Sequence, residues 1–172
     1  MTHNLIHDTP QSGIFLWGSH HTVEYNHIRH TCTESEDTGA IGGGAIDWLG
    51  WLGTVIRYNY IHDTLGYGCD TQTDKWVSPY FTAALYPDWA ASGLTIVGNV
   101  LVRAPRACLF LHSGRDNVIE NNMLIDGGLT QMHWRGWTTE TGFWSTMVDG
   151  WIANYEMATR HAAWRDVPAL KD

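Results

Sequence analysis

Short aliphatic segments recur along this chain, and each of them surrounds an asparagine. The pattern aliphatic-x-x-Asn-x-aliphatic occurs at residues 23–28, 56–61, 96–101 and 119–124, and residues 3–6 supply the tail of a further copy. The repeated asparagines are Asn4, Asn26, Asn59, Asn99 and Asn122, separated by 22, 33, 40 and 23 positions. Such a recurrence indicates a repeat architecture, in which each repeat buries its apolar face against its neighbours.

The spacing of the repeats indicates how each one folds. The two shortest separations suit one coil of a parallel β-helix, and the longer ones suit the same coil carrying insertions of about 11 and 18 residues. A second short apolar segment accompanies the asparagine, at residues 13–16, 39–41, 84–86 and 107–110. We therefore expect an all-β fold, a right-handed parallel β-helix of about five coils, with asparagines stacked at a bend and aliphatic residues stacked in the core.

The repeat pattern ends after residues 126–128. From Leu129 onward the composition shifts to Trp, Thr, Met and Ala, and the apolar positions predict one helix over residues 146–160. We divide the chain into β-helix coils over residues 1–128 and a partly helical C-terminal segment over residues 129–172 that caps the last coil. Because residues 2–7 enter the pattern in mid-repeat, we also expect preceding β-helix coils of a longer chain as a partner.

Charge and composition argue against several classes of partner. The formal net charge is −8 and the chain has no run of Lys or Arg, so we expect no nucleic-acid partner. The longest apolar runs, such as residues 93–102, are strand-sized and far short of the roughly 20 residues that a spanning helix needs, so we expect no membrane partner. The isolated cysteines and the spacing of the histidines predict no disulfide framework, no metal and no cofactor.

Acidic and aromatic residues concentrate in the two insertions, which would project from one flank of the stacked coils. Asp37 and Asp47 come from the first insertion, and Asp88 follows the second. Two neighbouring carboxylates suffice for glycoside hydrolysis, with retention at about 5–5.5 Å and inversion at roughly 6.5–9.5 Å. The sequence leaves that choice open, and a single Asp in such a loop is also a common turn residue.

Indole rings are natural platforms for sugars, because they pack against the apolar face of a pyranose. The indoles that we single out are Trp48, Trp51, Trp76, Trp89, Trp134 and Trp137. His112 lies beside Arg115 and one coil beyond Asp88, so it serves either substrate contact or structure. The predicted substrate-binding residues are Trp48, Tyr86, Trp89, His112, Arg115 and Trp134.

Five runs carry a resemblance to a known family: residues 37–41 (DTGAI), 47–48 (DW), 56–63 (IRYNYIHD), 86–89 (YPDW) and 114–122 (GRDNVIENN). Together they resemble the bacterial β-helical glycoside hydrolases with α-L-fucosidase and xylanase members. This resemblance implies Asp37 and Asp88 as the catalytic pair, with Asp47 in reserve. Trp89 departs from the family pattern, because it replaces the second Asp of a Tyr-x-Asp-Asp turn. A role carried by the first Asp of that turn stays with Asp88.

The expected function is a secreted or periplasmic glycoside hydrolase that cleaves a plant or algal polysaccharide or oligosaccharide. Two alternatives stay open. One is a polysaccharide lyase of the same fold, in which Ca²⁺ would be a cofactor and cations such as Arg106 and Arg115 would neutralise a substrate carboxylate. The other is a non-catalytic carbohydrate-binding or surface protein.

Overall fold

The computed structural model describes residues 1–45 and 47–162. Within them, short strands follow one another until residue 135, and a single α-helix comes after the last strand. The elements are β1 (Leu5–His7), β2 (Ile14–Phe15), β3 (Thr22–Glu24), β4 (His27–Thr31), β5 (Thr38–Gly44), β6 (Val55–Arg57), β7 (Tyr60–Thr64), β8 (Gly68–Asp70), β9 (Lys75–Val77), β10 (Thr82–Asp88), β11 (Thr95–Val97), β12 (Val100–Ala104), β13 (Ala107–His112), β14 (Val118–Glu120), β15 (Met123–Gly127), β16 (Thr130–Arg135) and α1 (Gly142–Arg160).

Three parallel sheets share the strands of the repeats. The first sheet has the order β1-β4-β7-β12-β15, the second β16-β13-β10-β5-β2 and the third β14-β11-β6-β3. Each strand pairs with the equivalent strand of the next repeat, so that Ile28 lies opposite Ile61 and Ile61 opposite Leu101. A fourth, two-stranded sheet is the antiparallel hairpin β8–β9, which lies within the longest insertion.

The expected fold class, an all-β right-handed parallel β-helix of about five coils, is wrong. The strands belong to four separate sheets of five, five, four and two strands, and a helix of 19 residues follows them. The chain is therefore a multi-sheet protein with both α and β elements rather than a single solenoid. A repeat pattern identifies equivalent segments, but it says nothing of the residues between and after them, where the hairpin and the helix form.

The repeated asparagines form a continuous row of hydrogen bonds across the repeats. The carboxamide nitrogen of Asn26 donates to Asn59 Oδ1 at 2.9 Å, Asn59 donates to Asn99 at 3.0 Å, and Asn99 donates to Asn122 at 2.9 Å. Asn4 extends the row through a bond of 2.8 Å to Asn26. The expected stacking of these side chains at a bend is confirmed.

A left-handed backbone conformation precedes each asparagine of the row and makes the bend. The φ angles of His3, Tyr25, Tyr58, Gly98 and Asn121 all lie between 53° and 67°. Only glycine adopts this region without steric cost, so the other four positions carry strain of about 1–2 kcal/mol each. The Asn carboxamides offset it by hydrogen-bonding backbone groups that the bend would leave unpaired.

Aliphatic side chains of all three parallel sheets meet in one core. Its largest fully buried members include Ile28, Ile61, Leu85, Ile96 and Leu109. The parallel register aligns these residues row by row, because paired residues point to the same side of a sheet. The rigid core fixes the strands whose outward side chains form the candidate site.

The C-terminal segment adds one strand and one helix. β16 extends the second sheet, and α1 begins four residues before the predicted helix over residues 146–160 and ends where that prediction ends. Of its apolar side chains Trp151 is buried, against Trp48 and Trp137. Residues 163–172 of the predicted capping segment lie outside the described residues. Among the described residues, no helix combines the length and the hydrophobicity of a membrane-spanning segment.

Candidate functional site

The outward side of the second sheet carries three of the predicted site residues, Tyr86, Asp88 and His112. We call it the outer face, meaning the side of β5, β10, β13 and β16 that points away from the core. Tyr86 and Asp88 are two residues apart in β10 and therefore point the same way. Tyr86 packs with Phe110 in a small cluster apart from the main core, with ring centroids 4.5 Å apart. This packing fixes the direction of both β10 side chains.

Glycines in β5 leave space for the β10 side chains on the outer face. Gly42 lies opposite Tyr86 and Gly44 opposite Asp88, so β5 presents no side chains at these rows. A Cβ atom at Gly39 would lie 2.8 Å from the Cβ of Tyr86, which leaves no space for any other residue there. The result is a floor of glycine backbone beside Tyr86, whose side chain is itself buried.

Asp37 lies at one end of this floor, immediately before β5. Its backbone nitrogen donates to the Phe81 carbonyl at 2.9 Å, and its side chain is 60% exposed. The Tyr86 hydroxyl donates to Asp37 Oδ1 at 3.3 Å. Burial raises the pKa of Tyr86 above its usual range, and the charges of Asp88 and Asp37 raise it further. Both carboxylates therefore lie near the same phenol, on the same face.

Asp88 lies at the other end, where hydrogen bonds fix its orientation. Asp88 Oδ1 accepts from the backbone nitrogen of Trp89 at 2.8 Å and from His112 Nδ1 at 2.7 Å. The other ring nitrogen of His112 faces Trp137 Nε1 at 2.9 Å. An indole nitrogen only donates, so His112 Nε2 accepts and the imidazole proton is on Nδ1. His112 is thus a neutral orienting group with both nitrogens engaged.

An aromatic cluster borders the Asp88 end. Trp137 stacks on Trp151 at 5.6 Å and meets Trp89 edge-on at 5.7 Å. The same cluster lines a pocket of about 280 Å³, whose walls are Trp48, Ser113, Gly114, Arg115, Gly136, Trp137, Trp144 and Trp151. The structure therefore brings the predicted substrate-binding residues Trp48, Trp89, His112 and Arg115 into one neighbourhood beside Asp88.

Asp47 lies apart from the outer face and has structural partners. Its Oδ1 accepts from the backbone nitrogens of Leu49 and Gly50 at 2.9 and 3.1 Å, which caps a turn. Its Oδ2 accepts from Asn154 Nδ2 of α1 at 2.8 Å. A second cavity, of about 420 Å³, lies here between the turn and the helix and is lined by Gly18, Ser19, Asp47, Leu49, Gly50, Asn154, Met157, Ala158 and His161.

Trp134 also lies away from the other predicted substrate-binding residues. It pairs with Leu111, whose side chain belongs to the main core, so the parallel register turns Trp134 to the core side of β16. Its side chain is nevertheless 63% exposed, because β16 is the last strand of its sheet. Alternation within β16 places His133 and Arg135 on the outer face instead.

Two residues at the Asp37 end, Arg106 and Phe110, were not among the predicted site residues. Arg106 precedes β13, and its guanidinium lies between the rings of Phe81 and Phe110. Its Nη1 is 3.7 Å from Asp37 Oδ1. In the sequence, an arginine directly before an uninterrupted apolar strand indicates a cation at the end of that strand. How deeply the arginine is buried depends on tertiary packing.

Metal ligands and comparisons with known proteins add no further assignment. Within residues 1–45 and 47–162, no three His, Cys, Asp or Glu side chains are grouped so as to hold a metal ion. No family model, no curated protein and no solved structure matches the chain. The resemblance to β-helical glycoside hydrolases therefore stays a prediction from the motifs.

Proposed function

We propose that the chain is a glycoside hydrolase that binds a plant or algal polysaccharide along the outer face and cleaves it with Asp37 and Asp88. The observation that carries the proposal is the position of both carboxylates beside the buried Tyr86 phenol, on one face of the second sheet. Two carboxyl groups that flank a shared cleft are the equipment of most glycosidases. The neighbouring indoles Trp89 and Trp137 supply apolar surface for sugar rings.

The hydrogen bonds suggest different roles for the two carboxylates. Two N–H groups hold Oδ1 of Asp88 in place, which suits a nucleophile or base whose other oxygen must point at a fixed atom. Asp37 is largely exposed, so it can exchange a proton with water and is left with the complementary acid–base role. Tyr86 positions Asp37, and His112 positions Asp88. As a secreted or periplasmic enzyme, the protein would meet such polymers directly.

Binding without cleavage is the second candidate function. The observation in its favour is that His112 has both ring nitrogens engaged, so that it orients Asp88 without serving as a proton shuttle. Binding and cleavage are separable because only cleavage needs both carboxylates to ionise and exchange protons.

The test is the separate substitution of Asp37→Asn and Asp88→Asn, with release of reducing ends from a panel of plant and algal polysaccharides as the measurement. Loss of an acid, base or nucleophile lowers the rate by about 10² to 10⁴-fold. Asp126→Asn is a matched control, because Asp126 is an exposed β15 residue whose φ of 54° resembles the 50° of Asp37. Asn tolerates this backbone region, so Asp37→Asn and Asp126→Asn preserve the backbone at these two positions. Asp88 lies in a strand, and Asn keeps an oxygen there that accepts from the Trp89 nitrogen.

Each outcome of this experiment is decisive. Turnover by the wild type and the control, with strong loss in both site variants, supports the hydrolase. Affinity for a glycan without turnover in any of them supports the binding protein. Products with the ultraviolet absorbance of an unsaturated uronate point to the lyase alternative instead. Equal activity in the wild type and both site variants excludes the proposed carboxylate pair.

A further inference from the structure

Arg106 is a buried cation at the Asp37 end of the outer face. It is 7% exposed, and its guanidinium carbon lies 3.9 Å from the ring centre of Phe81 and 4.0 Å from that of Phe110. The two rings hold the planar group between them and restrict its orientation. Because arginine stays protonated in proteins, this position carries a full positive charge.

The protein itself compensates this charge incompletely. The Nε of Arg106 is buried and, among the described residues, has no hydrogen-bond partner. The carboxylate contact is from Nη1 to Asp37 Oδ1 at 3.7 Å, which is beyond hydrogen-bond distance. Asp37 is mostly exposed and also accepts from Tyr86, so water and the phenol share its charge. Burial lowers the pKa of Arg106, which reflects the loss of hydration around the guanidinium.

The magnitudes indicate that this arrangement is costly without a ligand. Removing an ion from water costs several kcal/mol even after relaxation of the protein. A cation–π contact returns about 0.5–2 kcal/mol, so two rings offset only part of that cost. Buried charges in proteins are normally paired, and those left unpaired concentrate at functional sites.

A second cationic side chain faces the same region. Arg135 lies on the outer face of β16 and contributes a repulsive charge at Arg106. Between them, His133 stacks on Phe110 at 4.5 Å, and burial together with both arginines lowers the pKa of this histidine. His133 is therefore neutral near pH 7. Two guanidinium groups thus lie near the Asp37 carboxylate at this end of the face, and Asp88 adds a weaker attraction to Arg106 from the other end.

We propose that Arg106 anchors an anionic sugar unit, a carboxylate of a uronic acid or a sulfate ester, so that the glycan bound on the outer face is acidic. The inference rests on the proposed function in taking the outer face as the glycan-binding surface. Both anions present the planar or branched oxygens that a guanidinium recognises with two parallel hydrogen bonds. Phe81 and Phe110 hold the guanidinium in position before the ligand arrives, which reduces the entropic cost of binding.

The test compares ligands that differ only in charge. Isothermal titration calorimetry measures the affinity of oligogalacturonate, of its methyl ester and of a sulfated galactan oligosaccharide for the wild type and for Arg106→Met. Methionine has a similar length and packs between the two rings without a charge. We expect the wild type to bind an acidic ligand at least about 10-fold more tightly than the neutral ester, as one charge-assisted pair provides. In Arg106→Met this ratio falls to about 1 while affinity for the ester is kept.

Two further variants keep the test decisive. Arg103→Met removes an exposed arginine that is paired with Asp63 on the first sheet, and it should leave the ratio of affinities unchanged. Arg106→Lys keeps the charge but loses the planar pair of donors, so an intermediate ratio is expected if Arg106→Met does not fold. The carboxylate and sulfate ligands distinguish the two sources of negative charge.

The inference is overturned if the wild type binds the neutral ester as tightly as both acidic ligands, or if Arg106→Met keeps the wild-type ratio. Failure of the proposed hydrolase is a separate result, since it appears as absent turnover with the acid preference intact. If turnover depends on Asp37 and Asp88 but the protein shows no preference for acidic ligands, the proposed hydrolase is supported and the anionic anchor at Arg106 is overturned.

Discussion

Asn59 lies in the middle of the row of asparagines, where its carboxamide bonds to the repeats on both sides. Its nitrogen donates to Asn99 Oδ1 and to the Val23 carbonyl, both at 3.0 Å. Its oxygen accepts from the backbone nitrogen of Asn26 at 3.0 Å and from the Asn26 carboxamide at 2.9 Å. One buried side chain therefore joins three repeats. Removing it would leave the two nitrogen donors of Asn26 without an acceptor, at a site that water cannot reach.

Replacing Asn59 with Ala should therefore destabilise the protein strongly. Two donors of Asn26 lose their acceptor, and each buried unsatisfied group costs about 1–3 kcal/mol, so we expect a loss of about 3 kcal/mol in the free energy of unfolding. Asn122→Ala is the control, because Asn122 is half-buried at the end of the row and water can replace its bonds. We expect about 1 kcal/mol there. Urea titration followed by fluorescence measures both, and equal losses would contradict the prediction.

At the scale of elements, α1 depends on its packing against Trp48 and the segment after β16 more than on its own ends. Thr141 at its N-terminus makes no side-chain cap, and the first turn has no acidic residue. A side-chain cap and an acidic residue in the first turn would each stabilise an isolated helix. Because α1 has neither, its packing against the rest of the chain is the main source of its stability. Trp151 supplies that contact through the rings of Trp48 and Trp137.

Replacing Trp151 with Ala should release α1 while the sheets stay folded. Loss of a buried indole costs about 3–5 kcal/mol, which exceeds what a helix without caps contributes by itself. Hydrogen exchange should then show protection lost over residues 142–160 and retained in β10 and β13. Ile152→Ala changes an exposed residue of the same helix, and it should leave the protection of both the helix and the strands unchanged. Equal loss of protection in helix and strands would show that the two unfold together.

The helix illustrates what the sequence could and could not predict at this scale. Its apolar positions correctly indicated a helix that ends at Arg160, yet the positions do not tell which of them is buried. Ile152 and Met157 are exposed, whereas Trp151 is not. The helix meets the rest of the chain through Trp151, and the positions of its partners Trp48 and Trp137 depend on how distant segments fold.

At the scale of the whole molecule, the repeats were predictable and their surroundings were not. The spacing of the asparagines specified the register in which Ile56 meets Ile96, because a slip of one residue would expose every buried side chain of the strand. The fold class was wrong because the repeat pattern does not predict how the strands divide among four sheets, and the hairpin forms in a segment with no repeat. Asp37 and Asp88 were predicted in neighbouring coils and both lie near the Tyr86 phenol, whereas the bond from Asn154 to Asp47 joins residues 107 positions apart.

Two buried thiols and one buried phenol predict how the stability of the whole molecule depends on pH. Burial raises the pKa of the Cys32 thiol to about 11, and it also raises the pKa of Cys108 and of Tyr86. These groups are protonated in both states below about pH 8. As the pH rises through the ordinary pKa of a thiol towards about 11, the unfolded chain loses these protons first, so the folded state loses stability.

We expect the urea midpoint to be constant between about pH 7 and 8 and to fall at higher pH, with a loss of about 3 kcal/mol by pH 11. Cys32→Ala should reduce the slope of this decline, since it removes the thiol whose pKa burial raises to about 11. Cys69→Ala, which changes a partly exposed thiol in the hairpin, should not. A midpoint that stays constant up to pH 11 would contradict the burial of these groups.

Trp137 connects the helix α1 to the Asp88 carboxylate through direct contacts. The same indole stacks on Trp151 of α1 and donates to His112, which in turn donates to Asp88. Undocking the helix would remove the ring that stacks on Trp137 and so loosen the donor that holds His112 against Asp88. A substitution that merely loosens the helix should thus also free the Asp88 carboxylate to change its orientation.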